Sequence, residues 1–167
     1  EYLDDGRVRV SYLDKDTVGE KRQVVARAVI GADGARSRVA ARCVPGGDKV
    51  RTVFAYHEIV ESPAANDDAD FDPQRCDVWY QGRLSPDFYA WVFPHGDKTS
   101  IGVGSEQKGF SAPDSVAKLR ADVGLSDART VRREGAPIPL KPLKRWDDGR
   151  NVLLAGDAAG VVAPASG

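Results

Sequence analysis

Two apolar runs that each end on glycine and aspartate constrain this chain more than anything else in it. Near the end, Val152-Leu153-Leu154-Ala155 runs into Gly156-Asp157 and then the small residues Ala158, Ala159 and Gly160. More than a hundred residues earlier, Ala28-Val29-Ile30 runs into Gly31-Ala32-Asp33-Gly34, followed by a polar helix start around Ser37 and Arg38. Each apolar run reads as a short buried strand, and each tail as the opening of a helix. This is the grammar of a nucleotide site. Glycine lets the backbone approach a ligand, a carboxylate at a strand end accepts hydrogen bonds from ribose hydroxyls, and a helix start offers free N–H groups. The same residues also occur where aspartate merely caps its own helix, so each stretch taken alone leaves both readings open.

Between the two runs the pattern is that of an antiparallel excursion. Val8, Val10 and Tyr12 alternate with Arg7, Arg9 and Ser11 as a half-buried strand should, and Val24-Val25 begins a second strand that carries on towards Ile30. Residues 37–42 predict one or two helical turns before Pro45-Gly46-Gly47 breaks them. Val53, Ala55, His57 and Ile59 alternate with Thr52, Phe54, Tyr56 and Glu58, which predicts a strand packed on both faces. Residues 76–81, 88–94 and 99–105 predict a three-stranded antiparallel meander. Ser111 as N-cap, with Pro113 and Asp114 behind it, starts a helix. Its apolar face, Val116, Leu119 and Val123 with Ala117 and Ala121 beside them, should cover the sheet. Residues 129–134 predict a further strand, and Pro137, Pro139 and Pro142 keep the next segment extended. Gly102-Val103-Gly104 lies inside a strand rather than before a helix, so it is not a dinucleotide fingerprint.

Composition excludes several classes. A net charge of -1, with lysine and arginine spread along the chain, gives no case for nucleic acid. No apolar run approaches the roughly 20 residues that cross a bilayer. Cys43 and Cys76 form no Cys-x-x-Cys, which points to free thiols in a reducing compartment. The carboxylates Asp67, Asp68, Asp70 and Asp72 lack the glycine and the bidentate glutamate of a calcium loop, so no metal is expected and the segment reads as a solvated loop. With no methionine and a stop at Gly167, the chain reads as a piece of a larger protein.

The middle of the chain carries a more specific likeness. Cys76-Asp77-Val78-Trp79-Tyr80-Gln81-Gly82, then Leu84-Ser85-Pro86-Asp87-Phe88-Tyr89-Ala90-Trp91-Val92-Phe93-Pro94-His95-Gly96-Asp97, and residues 134–145 all resemble the FAD-dependent geranylgeranyl reductases of chlorophyll and bacteriochlorophyll synthesis. The resemblance runs from about Ala26 to the end. It implies an α+β fragment of a two-domain flavoprotein. Residues 45–145 would form an antiparallel-sheet substrate domain with a covering helix. They would be flanked by pieces of an FAD-binding Rossmann-type, glutathione-reductase-like domain at 1–44 and 146–167.

The resemblance also implies FAD and NADPH as cofactors and a prenyl chain, on pigment or diphosphate, as substrate. Asp157 would hold the ribityl or ribose side of FAD, with Gly156, Ala158 and Gly160 keeping the backbone close, and Pro164 and Gly167 approaching the isoalloxazine. Asp33 and Gly34 would lie near the pyrophosphate, with Ser37 and Arg38 behind them. The family's Asp-Gly motif commonly carries arginine where Ala40 stands here. Tyr89, Trp91 and Phe93, with Pro94 beside them, would form an aromatic wall for the isoprenoid; by periodicity alone they could equally pack under the helix after Ser111. His95 is a candidate proton donor, and Lys141, Lys144 and Arg145 could steer a diphosphate. The location implied is cytoplasmic, with peripheral association at the photosynthetic membrane. The fragment alone is expected to bind FAD weakly or not at all. An aromatic monooxygenase on the same scaffold and a non-catalytic isoprenoid- or tetrapyrrole-binding module are the alternatives.

Overall fold

In the computed structural model the valine-arginine alternation makes Val8–Leu13 (β1), which pairs antiparallel with Lys21–Ala26 (β2). The second strand does not carry on to Ile30 as the sequence predicts. It breaks at Arg27, and Val29–Gly31 (β3) leaves the hairpin to run parallel with Val152–Leu154 (β9). Asn151 explains the break. Its side-chain amide donates to the carbonyls of Gly6 at 2.7 Å and Arg27 at 3.1 Å, while the Val29 N–H donates to its backbone carbonyl at 2.9 Å. The chain is thereby taken out of one ladder and set into another.

The structure describes residues 1–14, 16, 17, 19–63 and 71–162. They cluster into two compact units, one combining Glu1–Arg51 with the chain from Pro139 onward, the other comprising Thr52–Ile138. The acidic stretch 64–70, with Asp67, Asp68 and Asp70, lies outside the described residues, as do Pro164 and Gly167.

In the first unit Arg38–Cys43 (α1) packs on the parallel pair through Ala40, Val44, Leu154 and Ala159. The strands are not buried on both faces as expected. Ile30 is 67% exposed and its register partner Leu153 52%, because no described element covers that side.

The second unit is a five-stranded sheet in the order β5-β6-β7-β4-β8. Here Thr52–Glu61 is β4, Asp77–Trp79 β5, Ala90–His95 β6, Lys98–Ser105 β7 and Thr130–Pro139 β8. The meander is present as β5, β6 and β7, and the last strand runs on through Pro137 at the sheet edge, where a missing N–H breaks no inner ladder. Ala112–Asp122 (α2) covers one face, setting Val116 and Leu119 against Val60, Val92, Ile101 and Val103. Fully burying such side chains contributes roughly 1.5–3 kcal/mol each.

Two details of α2 differ from expectation. Ala117 and Ala121 are exposed while Ala112 and Ser115 are buried, and the Ser111 hydroxyl makes no cap hydrogen bond. The Ser115 hydroxyl instead donates to the Leu84 carbonyl. At the other end of the helix, Arg120 donates to buried Glu58 at 2.6 Å, and Tyr56, Thr130 and Arg133 donate to the same carboxylate. Burial pushes the Glu58 carboxyl up, but those hydrogen bonds outweigh it and hold the group below the usual carboxylate range. The architecture is α+β, mostly strands with few helices.

Candidate functional site

The two glycine-aspartate turns emerge side by side in the first unit, at the C-terminal ends of parallel β3 and β9, and the Ala155 N–H donates to the Gly31 carbonyl at 2.9 Å. Ends of parallel strands are where open α/β sheets bind ligands. The two aspartates nevertheless have different occupations.

The Asp33 carboxylate is held by its own helix. One oxygen accepts the Ser37 hydroxyl at 2.5 Å, and the other accepts the backbone N–H of Arg38 at 2.7 Å and of Val39 at 3.3 Å. Ser37 Oγ in turn accepts the Ala40 N–H at 2.8 Å and is the N-cap of α1. Burial pushes the Asp33 carboxyl up, and the hydrogen bonds from Ser37, Val39 and Arg38 outweigh it and hold the group below its ordinary value. Buried Ala40 sits in the helix core, so an arginine there would displace the packing of α1. Gly34 and Arg38 flank the turn, Arg38 with its side chain exposed.

Asp157 is half-buried in a single 3-10 turn, Gly156–Ala159, and among the described residues its carboxylate has no hydrogen-bond or ion-pair partner. The turn is anchored from behind by buried Ala158 and Ala159. Gly160 closes it at φ 72°, with a Cβ there falling 2.6 Å from the Lys141 carbonyl oxygen. The Leu143 N–H donates to the Ala159 carbonyl at 2.9 Å. The segment carrying Lys141 therefore clamps the turn, a role its charges did not announce. Nothing lies within 4 Å of a Cβ built on exposed Gly156, so the backbone there is open to a ligand.

In the second unit Tyr89, Trp91 and Phe93 share a face, and it is the face opposite α2; Ala90 and Val92 meet the helix instead. The rings form a continuous row. Phe88 stacks on Tyr89 at 4.1 Å between centroids, Tyr89 meets Trp91 edge-on at 6.0 Å, and Trp91 meets Phe93 at 6.2 Å. Glycines of β7 seat them, because a Cβ on Gly102 would fall 2.1 Å from the Trp91 ring and one on Gly104 2.5 Å from Phe88. That is the work of Gly102-Val103-Gly104.

Pro94 falls on the other side by strand alternation. His95 is exposed at the β6–β7 turn, with no hydrogen-bond partner among the described residues. His57 joins the aromatic face instead, its ring 6.2 Å from Trp91 and bonded to Ser100 and Glu134. Its neighbours are brought together only by the sheet, although its place in step with Ala55 and Ile59 was a usable signal. Cys43 and Cys76 are both free thiols.

Residues 2–167 match the family model described as FAD binding domain. The chain is 54% identical over 164 residues to the geranylgeranyl diphosphate reductase of Rhodobacter capsulatus, covering 98% of this chain and 41% of that protein. It is 38% identical over 154 residues to the chloroplastic geranylgeranyl diphosphate reductase of Oryza sativa subsp. japonica, covering 89% of this chain and 32% of that one. The chain thus spans less than half the length of either relative. The crystal structure of a geranylgeranyl bacteriochlorophyll reductase-like protein from Thermoplasma acidophilum superposes with a TM-score of 0.70 at 23% identity, over 87% of this chain and 37% of that one, which shows a shared fold. The chain belongs to the FAD binding domain family, and within it to the geranylgeranyl reductases.

Proposed function

We propose that this chain is part of an FAD-dependent geranylgeranyl reductase that uses NADPH to saturate prenyl C=C bonds, turning geranylgeranyl into phytyl chains on a (bacterio)chlorophyll or on the free diphosphate. The 54% identity over nearly the whole chain carries this reading. The unit of Glu1–Arg51 with the chain from Pro139 onward serves as part of the FAD-binding domain, and Thr52–Ile138 as the substrate domain.

The residues present fit a flavin nucleotide. Asp157 carries a carboxylate without a partner among the described residues, in a turn whose backbone is open at Gly156. Its oxygens accept hydrogen bonds from ribityl or ribose hydroxyls, while Ala158 and Gly160 keep the turn tight against the strand. Asp33 and Ser37 act one step back, holding α1 so that Gly34 and Arg38 face the pyrophosphate. Bound flavin supplies hydride transfer, and the protein supplies binding, orientation and electrostatics.

Tyr89 and Trp91 are buried beneath the aromatic face, so a long apolar chain would meet it through half-buried Phe88 and Phe93. His95 stands at an exposed turn with nothing to orient it, and the reading does not depend on it as proton donor. The protein works in the cytoplasm, meeting its lipidic substrate at the face of the photosynthetic membrane; among the described residues no helix is long and apolar enough to cross a bilayer.

The test is anaerobic turnover of the full-length protein with NADPH and either geranylgeranylated bacteriochlorophyll or geranylgeranyl diphosphate, followed by mass spectrometry. Product masses should rise in steps of two hydrogens. No gain with either substrate, together with NADPH consumption that needs oxygen, would overturn the reading in favour of a monooxygenase.

A further inference from the structure

We propose that Glu134, His57 and Ser100 form a positioning chain that locks the Trp91 indole in one pose across Gly102, and that this buried lock sets how half-buried Phe93, stacked on the indole, meets an apolar ligand. Four neighbouring strands of one sheet each contribute a member: Trp91 from β6, Ser100 from β7, His57 from β4 and Glu134 from β8. Trp91 and His57 both lie opposite Gly102 in the register. With no side chain between them, the indole lies over the glycine and the two rings come within 6.2 Å.

With neutral His57 the hydrogen bonds have one consistent direction. Indole has only an N–H to give, and Trp91 Nε1 donates to Ser100 Oγ at 3.1 Å. The Ser100 hydroxyl proton then goes to His57 Nδ1 at 2.9 Å. His57 therefore carries its own proton on Nε2 and donates it to Glu134 Oε2 at 3.1 Å, this tautomer being assigned from the network. Glu134 is held in turn by Arg132 Nε at 3.1 Å. Trp91 and Ser100 are buried, at 7% and 8% exposure, and the chain ends at a half-exposed carboxylate.

A tryptophan side chain has two broad wells about its terminal torsion. The seat over Gly102 and the directional bond to Ser100 both favour the observed one, and with it the place of Phe93, whose ring lies 6.2 Å from the indole. His57, Ser100 and Glu134 are thus positioning residues that act through Trp91.

The identity of the ligand rests on the prenyl-reductase reading, and the experiment separates the two. In the full-length protein, His57→Leu and Ser100→Ala should each raise KM for geranylgeranyl diphosphate about tenfold, the effect of leaving one buried donor without its partner, with kcat unchanged. In a background whose other tryptophans, Trp79 and Trp146 among them, are replaced by phenylalanine, both should also weaken the near-ultraviolet circular dichroism of Trp91 while far-ultraviolet signals stay intact. His57→Asn places a carbonyl oxygen where Nδ1 sits and should restore most of both. Unchanged KM and spectrum in Ser100→Ala, or a His57→Asn as impaired as His57→Leu, would overturn the lock. Phe93→Ala lies outside the chain of hydrogen bonds and tests the ligand alone. If it raises KM while the lock variants do not, the lock falls and the prenyl reading stands. If it leaves KM unchanged, the prenyl chain does not lie on this face, and if geranylgeranyl diphosphate is not turned over at all the prenyl reading falls; in either case the spectrum judges the lock.

Discussion

Two turns built from nearly the same residues sit next to each other on parallel strands, and only one of them leaves its carboxylate without a partner among the described residues. Asp33 is occupied by Ser37, Arg38 and Val39 of its own helix, while Asp157 has no partner among the described residues. What separates them is the sequence that follows. Four residues after Asp33 comes a hydroxyl that can bridge carboxylate and helix, and then a helix of six residues with N–H groups to satisfy. After Asp157 come two alanines and a glycine in the left-handed region, so the turn ends before any helix can claim the carboxylate. A helix cap and an unpartnered carboxylate are therefore the same motif with different sequels.

The largest effect that would break this contrast is on flavin. Asp157→Ala should weaken FAD binding by the full-length protein about 10- to 100-fold, the range for losing charged hydrogen bonds to a ligand, while its unfolding free energy stays within about 0.5 kcal/mol. Fluorescence titration with FAD and urea unfolding of the same preparations would check both halves. An unchanged affinity would remove the distinction between the two turns.

Gly160→Ala should follow, with a loss of stability of about 2 kcal/mol, because a Cβ there is strained in φ and meets the Lys141 carbonyl. Chemical denaturation measures it, and FAD affinity should fall with it because the clamp behind Asp157 shifts. Asp33→Ala should be milder, about 1 kcal/mol of stability, since its carboxylate faces solvent and the cap is screened. Its effect on FAD affinity should be smaller than that of Asp157→Ala. A reversed ranking in titration and denaturation would exchange the roles assigned to the two aspartates.

The smallest effect is on pH dependence. Asp33 and Glu58 both ionise below the usual carboxylate range in the folded protein. Their stabilisation is therefore complete above the ordinary carboxylate value of about 4 and is lost as pH falls through their lower folded values. Stability measured against pH should decline more shallowly in that window for Asp33→Asn than for the parent. An identical slope would show that the cap is not coupled to the fold.

Much of the fold was legible because local chemistry and tertiary structure agree. The meander strands, the helix after Ser111 and the parallel partners of the two glycine-aspartate turns all follow from apolar periodicity bounded by turn residues. The early hairpin strand was misjudged at its end because Asn151, more than a hundred residues away, decides where it stops. The α2 face was misassigned at Ala117 and Ala121 because small residues fit equally well inside or outside. At the candidate site the sequence could not rank the aspartates without weighing Ser37 against Ala158 and Ala159, although that difference is visible in the letters. Of His57 only the sheet face was legible, from its step with Ala55 and Ile59, since its partners Ser100 and Glu134 lie far away in the chain and meet it only through strand register.

The glycines of β7 tie the aromatic row to the sheet beneath it. Where Trp91 and Phe88 lie across Gly102 and Gly104, the rings occupy the place of the missing side chains above that stretch of backbone, so they help to shield its amides from water. A change that removes a ring would therefore bare the ladder hydrogen bonds themselves, and amide exchange in the middle of β7 would accelerate. Evolution of a new ligand surface here is restricted accordingly: a smaller ring can replace a larger one, but an empty position would open the sheet.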